Sequence, residues 1–194
     1  MTEVNFLNEL RERIGPMHKA LEQTVISKQI TSPSLTPQQY QNYLQKMFCV
    51  HEAVEKNVFP HLKQQFNDIT ERTKTPAILN DLKGLNSHIE NCSVSFIDDQ
   101  FVSSIPFCLG IMYVTEGSTL GGIYILKNVS AIMGDRTKNV SYFFNCYGQH
   151  TGTKWKTFLE VLNSYAASAS DKEKNEIIAG AVYGFNRTYE VFKS

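Results

Sequence analysis

Hydrophobic residues along this chain recur at three- and four-residue spacings, and the pattern predicts one all-α domain of about six to eight helices over residues 1–194. Leu7, Leu10, Ile14, Met17, Leu21 and Val25 mark an amphipathic helix over Phe6–Ser27. Gly15-Pro16 interrupts it and predicts a kink, or a fresh start with Pro16 at the first helical position. Thr31–Pro37 is turn-rich, and Thr36-Pro37-Gln38-Gln39 then reads as a capping box. The helix it opens runs to about Phe59, with Pro60 bending or ending it. Asn67–Pro76 is polar and reads as a loop, Ala77–Ile89 as a short helix, and Asn91–Gln100 as irregular and partly extended. An apolar run from Ile105 opens a glycine-bearing helix that ends near Gly134. Thr137–Gly152, including the aromatic Ser141–Phe144, reads as loop. Trp155, Phe158, Leu159 and Leu162 mark a helix from Thr151, and the capping box Ser170-Asp171-Lys172-Glu173 opens the last one.

The glycine-bearing helix departs from this regular picture. Tyr113-Val114-Thr115-Glu116-Gly117-Ser118-Thr119-Leu120-Gly121-Gly122 carries three glycines in six residues. Each interior Gly costs a helix about 1 kcal/mol relative to Ala. A chain that accepts the cost needs a bend or a close approach of backbone to something flat. Tyr113, Gly117 and Gly121 share one face, a side-chain-free trench with a phenol at one end. Tight packing against another helix through small residues explains the same spacing.

Composition narrows the function classes. Nineteen Lys+Arg balance nineteen Asp+Glu, so no net field points to nucleic acid or a membrane surface. No apolar run reaches the ~18 residues of a membrane span, and Met1–Leu10 is too polar for a signal peptide. Cys49, Cys92, Cys108 and Cys146 are scattered, without a Cys-x-x-Cys pair. They read as incidental or buried thiols of a cytoplasmic protein. Gly-x-Ser-x-Gly, P-loop and Gly-x-Gly-x-x-Gly motifs are absent. His51-Glu52 begins like a zincin helix but lacks the second His, and no Glu-x-x-His exists for a di-iron site. His51, His61, His88 and His150 read as structural or solvent-exposed.

His18 differs from these. It lies just past Pro16 beside Ile14, Met17 and Leu21, with Glu22 one turn on and Arg11 two turns back. A neutral imidazole can ligate iron through one nitrogen while the other donates to a carboxylate such as Glu22. A ligand on one side of a flat macrocycle and bare glycine backbone on the other would sandwich a haem, with Arg11 meeting a propionate at the rim.

These residues resemble the biliverdin-producing haem oxygenases, in particular the bacterial branch. The resemblance rests on Leu10-Arg11 through His18-Lys19-Ala20-Leu21-Glu22, on Tyr113–Gly122, on Tyr147-Gly148 with Gly152 and Trp155, and on Ala179–Asn186. It implies an all-α fold with haem between a proximal first helix and a kinked distal helix. It also implies a reaction with O2 and electrons from a donor such as ferredoxin or a flavin reductase, giving biliverdin, CO and ferrous iron. Carried over, His18 is the proximal ligand and Glu22 its partner. Gly117 and Gly121 are the distal glycines, and Tyr113, Arg11 and Lys156 match propionate contacts. Tyr183 and Asn186 fall where the last helix nears the pocket. Ser118 stands where mammalian-type members carry the Asp that holds proton-delivering waters. The resemblance leaves the protein as a monomer or a homodimer. A haem sensor or carrier without turnover, and a haem-free helical relative, are the competing classes. Loss of haem under O2 and reductant separates the first from an enzyme, and a hemin Soret shift separates the second.

Overall fold

The three longest helices begin where a side chain replaces a missing backbone acceptor. In the computed structural model, which describes residues 3–89 and 91–194, α3 (Pro37–Asn57) opens on the Thr36 hydroxyl, which accepts from the Gln39 amide while Gln39 Oε1 accepts from the Thr36 amide. α8 (Asp171–Lys193) opens on the same reciprocal pair, Ser170 and Glu173. Each pair satisfies two of the donors that a helix N-terminus leaves bare. The remaining helices are α1 (Glu3–Glu22), α2 (Val25–Ile30), α4 (Phe59–Leu62), α5 (Thr75–Gly84), α6 (Ile105–Met133) and α7 (Thr151–Ser168), and no strand occurs among the described residues.

α6 is the axle of this arrangement. Its first half, from Pro106 to Glu116, is buried without interruption, and it lies against α8 over its longest contact. The two backbones touch. A Cβ built on Gly110 would lie 2.0 Å from the Ile177 carbonyl oxygen, and one on Gly180 would lie 2.0 Å from that of Phe107. Packing through small residues therefore occurs in α6, about two to three turns before the glycines that the sequence singled out. α6 then continues unbroken through Gly117, Gly121 and Gly122 and emerges at the surface, where Ile123 and Tyr124 are exposed. α1 packs on α8, and α3 packs on α5 and α2.

Several boundaries differ from expectation. Pro16 lies inside α1 and does not end it. The backbone bond it forfeits is to Glu12, and both residues are exposed, so water can satisfy that carbonyl. The first helix stops at Glu22 instead of Ser27, and Thr24 caps a separate α2. α5 ends at Gly84, short of Ile89, because Asn86 turns to a φ of 57°. The Asn86 and Ser87 amides then bond Lys83 O and Leu82 O, a left-handed cap of the kind that closes helices. The expected 67–76 loop contains a short 3-10 turn, Ile69–Arg72.

The cysteine expectation is corrected in part. Cys49 and Cys92 form a disulfide that ties the irregular connection after α5 to α3, while Cys108 and Cys146 remain free. Burial pushes the Cys108 thiol up to about 12, which leaves it unreactive. Further along the same connection Phe96 is buried, and its carbonyl accepts from the Tyr183 hydroxyl at 3.0 Å. Among the described residues no helix is long and apolar enough to cross a membrane.

Candidate functional site

α1 and α6 scarcely meet directly among the described residues; α8 and α7 bridge them. One turn of α8 touches both. Gly184 packs against Val114 and Ile111 of α6, and the next residue, Phe185, holds its ring edge-on to His18 of α1 at 5.6 Å. From α7, Trp155 lies 5.3 Å from the Tyr113 ring and covers the start of the glycine stretch. α1 and the glycine stretch of α6 are thus linked through Phe185 of α8 and Trp155 of α7.

His18 is open to solvent, its side chain 57% exposed. Nδ1 lies 3.5 Å from Glu22 Oε1, a distance that orients the ring toward the carboxylate and leaves Nε2 facing away from it. Arg11, two turns earlier, is exposed. On α6 a Cβ at Gly121 would meet nothing within 4 Å. A Cβ at Gly117 would meet only the edge of Trp155, at 3.4 Å, which is ordinary contact. Gly117 therefore faces the Trp155 edge of α7, while the bare backbone of Gly121 fronts open space that a side chain would fill. Ser118 is exposed, but its hydroxyl donates to Thr115 O at 2.7 Å. It can accept a hydrogen bond from water, while its own proton is committed to the helix.

The other anticipated residues are spread more widely. The Tyr113 ring is buried under Trp155 and Phe158. Lys156 is almost fully exposed, 3.8 Å from Glu160, and Asn186 is exposed on α8. Tyr183 points to a different neighbourhood. It is buried among Phe96, Phe101 and Phe107, with its hydroxyl between Phe96 O and the Asp98 amide. The structure thus pairs His18 with Glu22 on α1, leaves Gly121 of α6 open, and turns Tyr183 toward the 92–104 connection.

Directly behind the glycines lies a cluster that sequence reasoning missed. Glu116, the residue before Gly117, is fully buried and accepts from Arg72 at 2.6 Å, Lys74 at 3.2 Å and the Tyr147 hydroxyl at 2.8 Å. Arg72 also bonds Asp68, and Lys154 bridges Asp68 and Glu71. Three cations thus face three carboxylates. Burial opposes the charge on Arg72, yet the Asp68 hydrogen bond and the Glu116 charge hold its pKa above the usual arginine value. Burial, reinforced by Glu116, raises Tyr147, so its hydroxyl stays protonated as a donor. Nearby His51 is driven down to about 3 by burial and then by the Lys74 charge. Its Nε2 has no hydrogen-bond partner among the described residues. The signal for this cluster was Glu116, a lone carboxylate at the end of an apolar run. No three His, Cys, Asp or Glu side chains among the described residues converge as a metal site.

A model of the family described as Heme oxygenase matches residues 4–194. Comparison with curated protein sequences gives no match. Among solved structures, the fold is similar to the NO- and CO-bound heme oxygenase from Neisseria meningitidis, with a TM-score of 0.70 and 20% identity over 97% of this chain and 90% of that one. It is also similar to heme oxygenase from Leptospira interrogans, with a TM-score of 0.71 and 18% identity over 96% and 98% of the two chains.

Proposed function

Because this chain belongs to the heme oxygenase family, we propose that it opens the haem ring with O2 and an external reductant, giving biliverdin, CO and ferrous iron. The observation that carries the reading is an exposed imidazole on α1 and an α6 backbone stripped of side chains, linked through Phe185 and Trp155, which we read as the two walls of a haem cleft. These residues fit a flat iron macrocycle, since a ligand nitrogen stands on one wall and a space that any Cβ would narrow lies at the other. Haem supplies the iron that activates O2 and is itself the ring that is cut.

The protein's part is positioning. His18 Nε2 would hold the iron, with Glu22 beside Nδ1 fixing the ring orientation and raising the basicity of the ligand. A neutral imidazole is a weaker electron donor than a thiolate and so does not force early O–O cleavage. Gly117 and Gly121 keep side chains out of the distal space and let peptide groups approach it. Ser118 would anchor water as an acceptor, so protons arrive from ordered water and not from a carboxylic acid at this position. The Glu116 cluster holds the preceding turn of α6 in place from behind. Arg11 would sit at the propionate rim, with Lys156 further out.

The test is direct. Purified protein with one equivalent of hemin should show a Soret band that requires His18. Addition of ascorbate or a ferredoxin system in air should replace that band with biliverdin and release CO. A stable Soret band under those conditions would make the protein a haem carrier, and no band at all would make it a haem-free relative.

A further inference from the structure

Tyr124 is 80% exposed, the most open large hydrophobic side chain among the described residues, and its neighbour Ile123 is 54% exposed. Its place in α6 is informative. Tyr113, Gly117, Gly121 and Tyr124 follow one another at spacings of four, four and three, so all lie within roughly a quarter turn of helix surface. The two bare turns of the glycine face are thus bracketed by two phenols about 16 Å apart along the axis. The inner one, Tyr113, is buried under Trp155. The outer one lies over solvent. Helical side chains lean toward the N-terminus of their helix, which puts Tyr124 on the Gly121 side of α6, with no atom of its ring within 4 Å of a Cβ at Gly121.

Resting on the haem reading above, we propose that Tyr124 is the rim residue of the cleft. Its ring closes over the outer edge of the bound macrocycle and restricts in-plane rotation, and so selects which edge of the ring is attacked. The inner end is already fixed by the Tyr113–Trp155 pair, and orientation then depends on what the outer edge meets. A solvent-exposed phenol beside empty, side-chain-free backbone supplies an apolar face for a porphyrin edge and a hydroxyl that can stay in water, the pairing that places tyrosine at wet margins.

The test uses the full chain with ferric hemin and no reductant, so that no turnover occurs. Tetranitromethane nitration read by peptide mass spectrometry should modify Tyr124 readily in the free protein and only weakly once hemin is bound. Tyr142, 46% exposed and on another segment, serves as the internal reference and should nitrate equally in both. Tyr124→Ala should leave the melting temperature of the free protein unchanged. It should release hemin to excess apomyoglobin about three- to tenfold faster, the range of one aromatic contact. With reductant, a single biliverdin isomer should become a mixture. If hemin gives the His18-dependent Soret band but Tyr124 nitrates as before and release is unaltered, the rim assignment is overturned and the haem site stands. Absence of any Soret complex overturns both.

Discussion

The same change, Gly to Ala, should have opposite consequences at two positions of α6. At Gly121 the added methyl meets no atom within 4 Å, so the structure offers no steric penalty. The helix gains the propensity difference, about 1 kcal/mol, which for a chain of this size raises Tm by about 2–4 °C. At Gly110 the methyl carbon would lie 2.0 Å from Ile177 O and 2.6 Å from Ala181 N. Both are backbone atoms of α8, so relief requires separating two helices. Overpacking of this kind costs about 3 kcal/mol or more, equivalent to a Tm fall of roughly 6–12 °C. Gly117→Ala falls between, with its methyl in ordinary contact with Trp155. The assay is thermal unfolding of the haem-free proteins alongside biliverdin yield per bound hemin. Gly121→Ala should be more stable than the wild type yet stall before ring opening, because the methyl occupies the distal space. A lowered Tm in Gly121→Ala would refute the open-backbone argument. A normal yield would remove Gly121 from the distal wall.

Three further outcomes follow from the buried groups. Glu116→Ala leaves Arg72 and Lys74 without their shared carboxylate and should destabilise by about 3–5 kcal/mol; joint replacement of all three by Leu or Met should recover most of that in a urea titration, and a cost below 1 kcal/mol in the single variant would show that these charges are not compensated through Glu116. Cys49→Ser opens a loop spanning a sequence separation of 43 residues, for which loop entropy gives up to about 4 kcal/mol, so Tm should fall both in the variant and in wild type with dithiothreitol; no change in either would refute the cross-link. His51 stays neutral in the fold down to about pH 3, whereas the unfolded chain takes up its proton near 6.5, so stability from this group is lost as pH falls, at about 1.4 kcal/mol per unit. Asp81, raised to about 6 by burial although the Phe143 and Tyr142 amides favour its charged form, acts in the reverse sense between roughly pH 4 and 6 and cancels when His51→Gln is compared with wild type. That difference should therefore change by about 3 kcal/mol between pH 7 and 4, and a constant difference would mean that His51 is reached by water.

Features set by near neighbours in the chain were legible before the structure. Thr36 with Gln39 and Ser170 with Glu173 name their helices because each cap is closed within four residues. His18 with Glu22 was legible for the same reason, since one helical turn fixes their separation. What stayed hidden depends on partners far along the chain. Arg72 and Lys74 sit in a polar stretch that looks like surface, and only Glu116 from α6 and Tyr147 from the turn before α7 make their burial possible. Cys49 and Cys92 carry no spacing signal either. Their pairing is decided by where the connection after α5 passes α3.

The glycines show most clearly where local reasoning stops. Gly110, Gly117 and Gly121 lie in one helix, and nothing in their flanks distinguishes a residue that lets two backbones touch from one that faces open space. The distinction is made by α8. It supplies Gly180 opposite Gly110, so the helices close to backbone contact there. Further along, α8 presents Gly184 to Val114 and Phe185 to His18, and so spans α6 and α1 in place of a direct contact between them. Close packing at one end of α6 and an open wall at the other have a common source. The tight Gly110–Gly180 crossing anchors α6, and the buried Glu116 cluster secures it again one residue before Gly117. The exposed half can then carry bare backbone at a cost of about 1 kcal/mol per glycine without loosening the fold. Weakening either anchor should disturb the cleft before it disturbs the capping boxes of α3 and α8. Hydrogen exchange in Glu116→Ala should therefore rise first in the 113–124 turns of α6, and equal loss of protection at residues 37–45 would contradict this order.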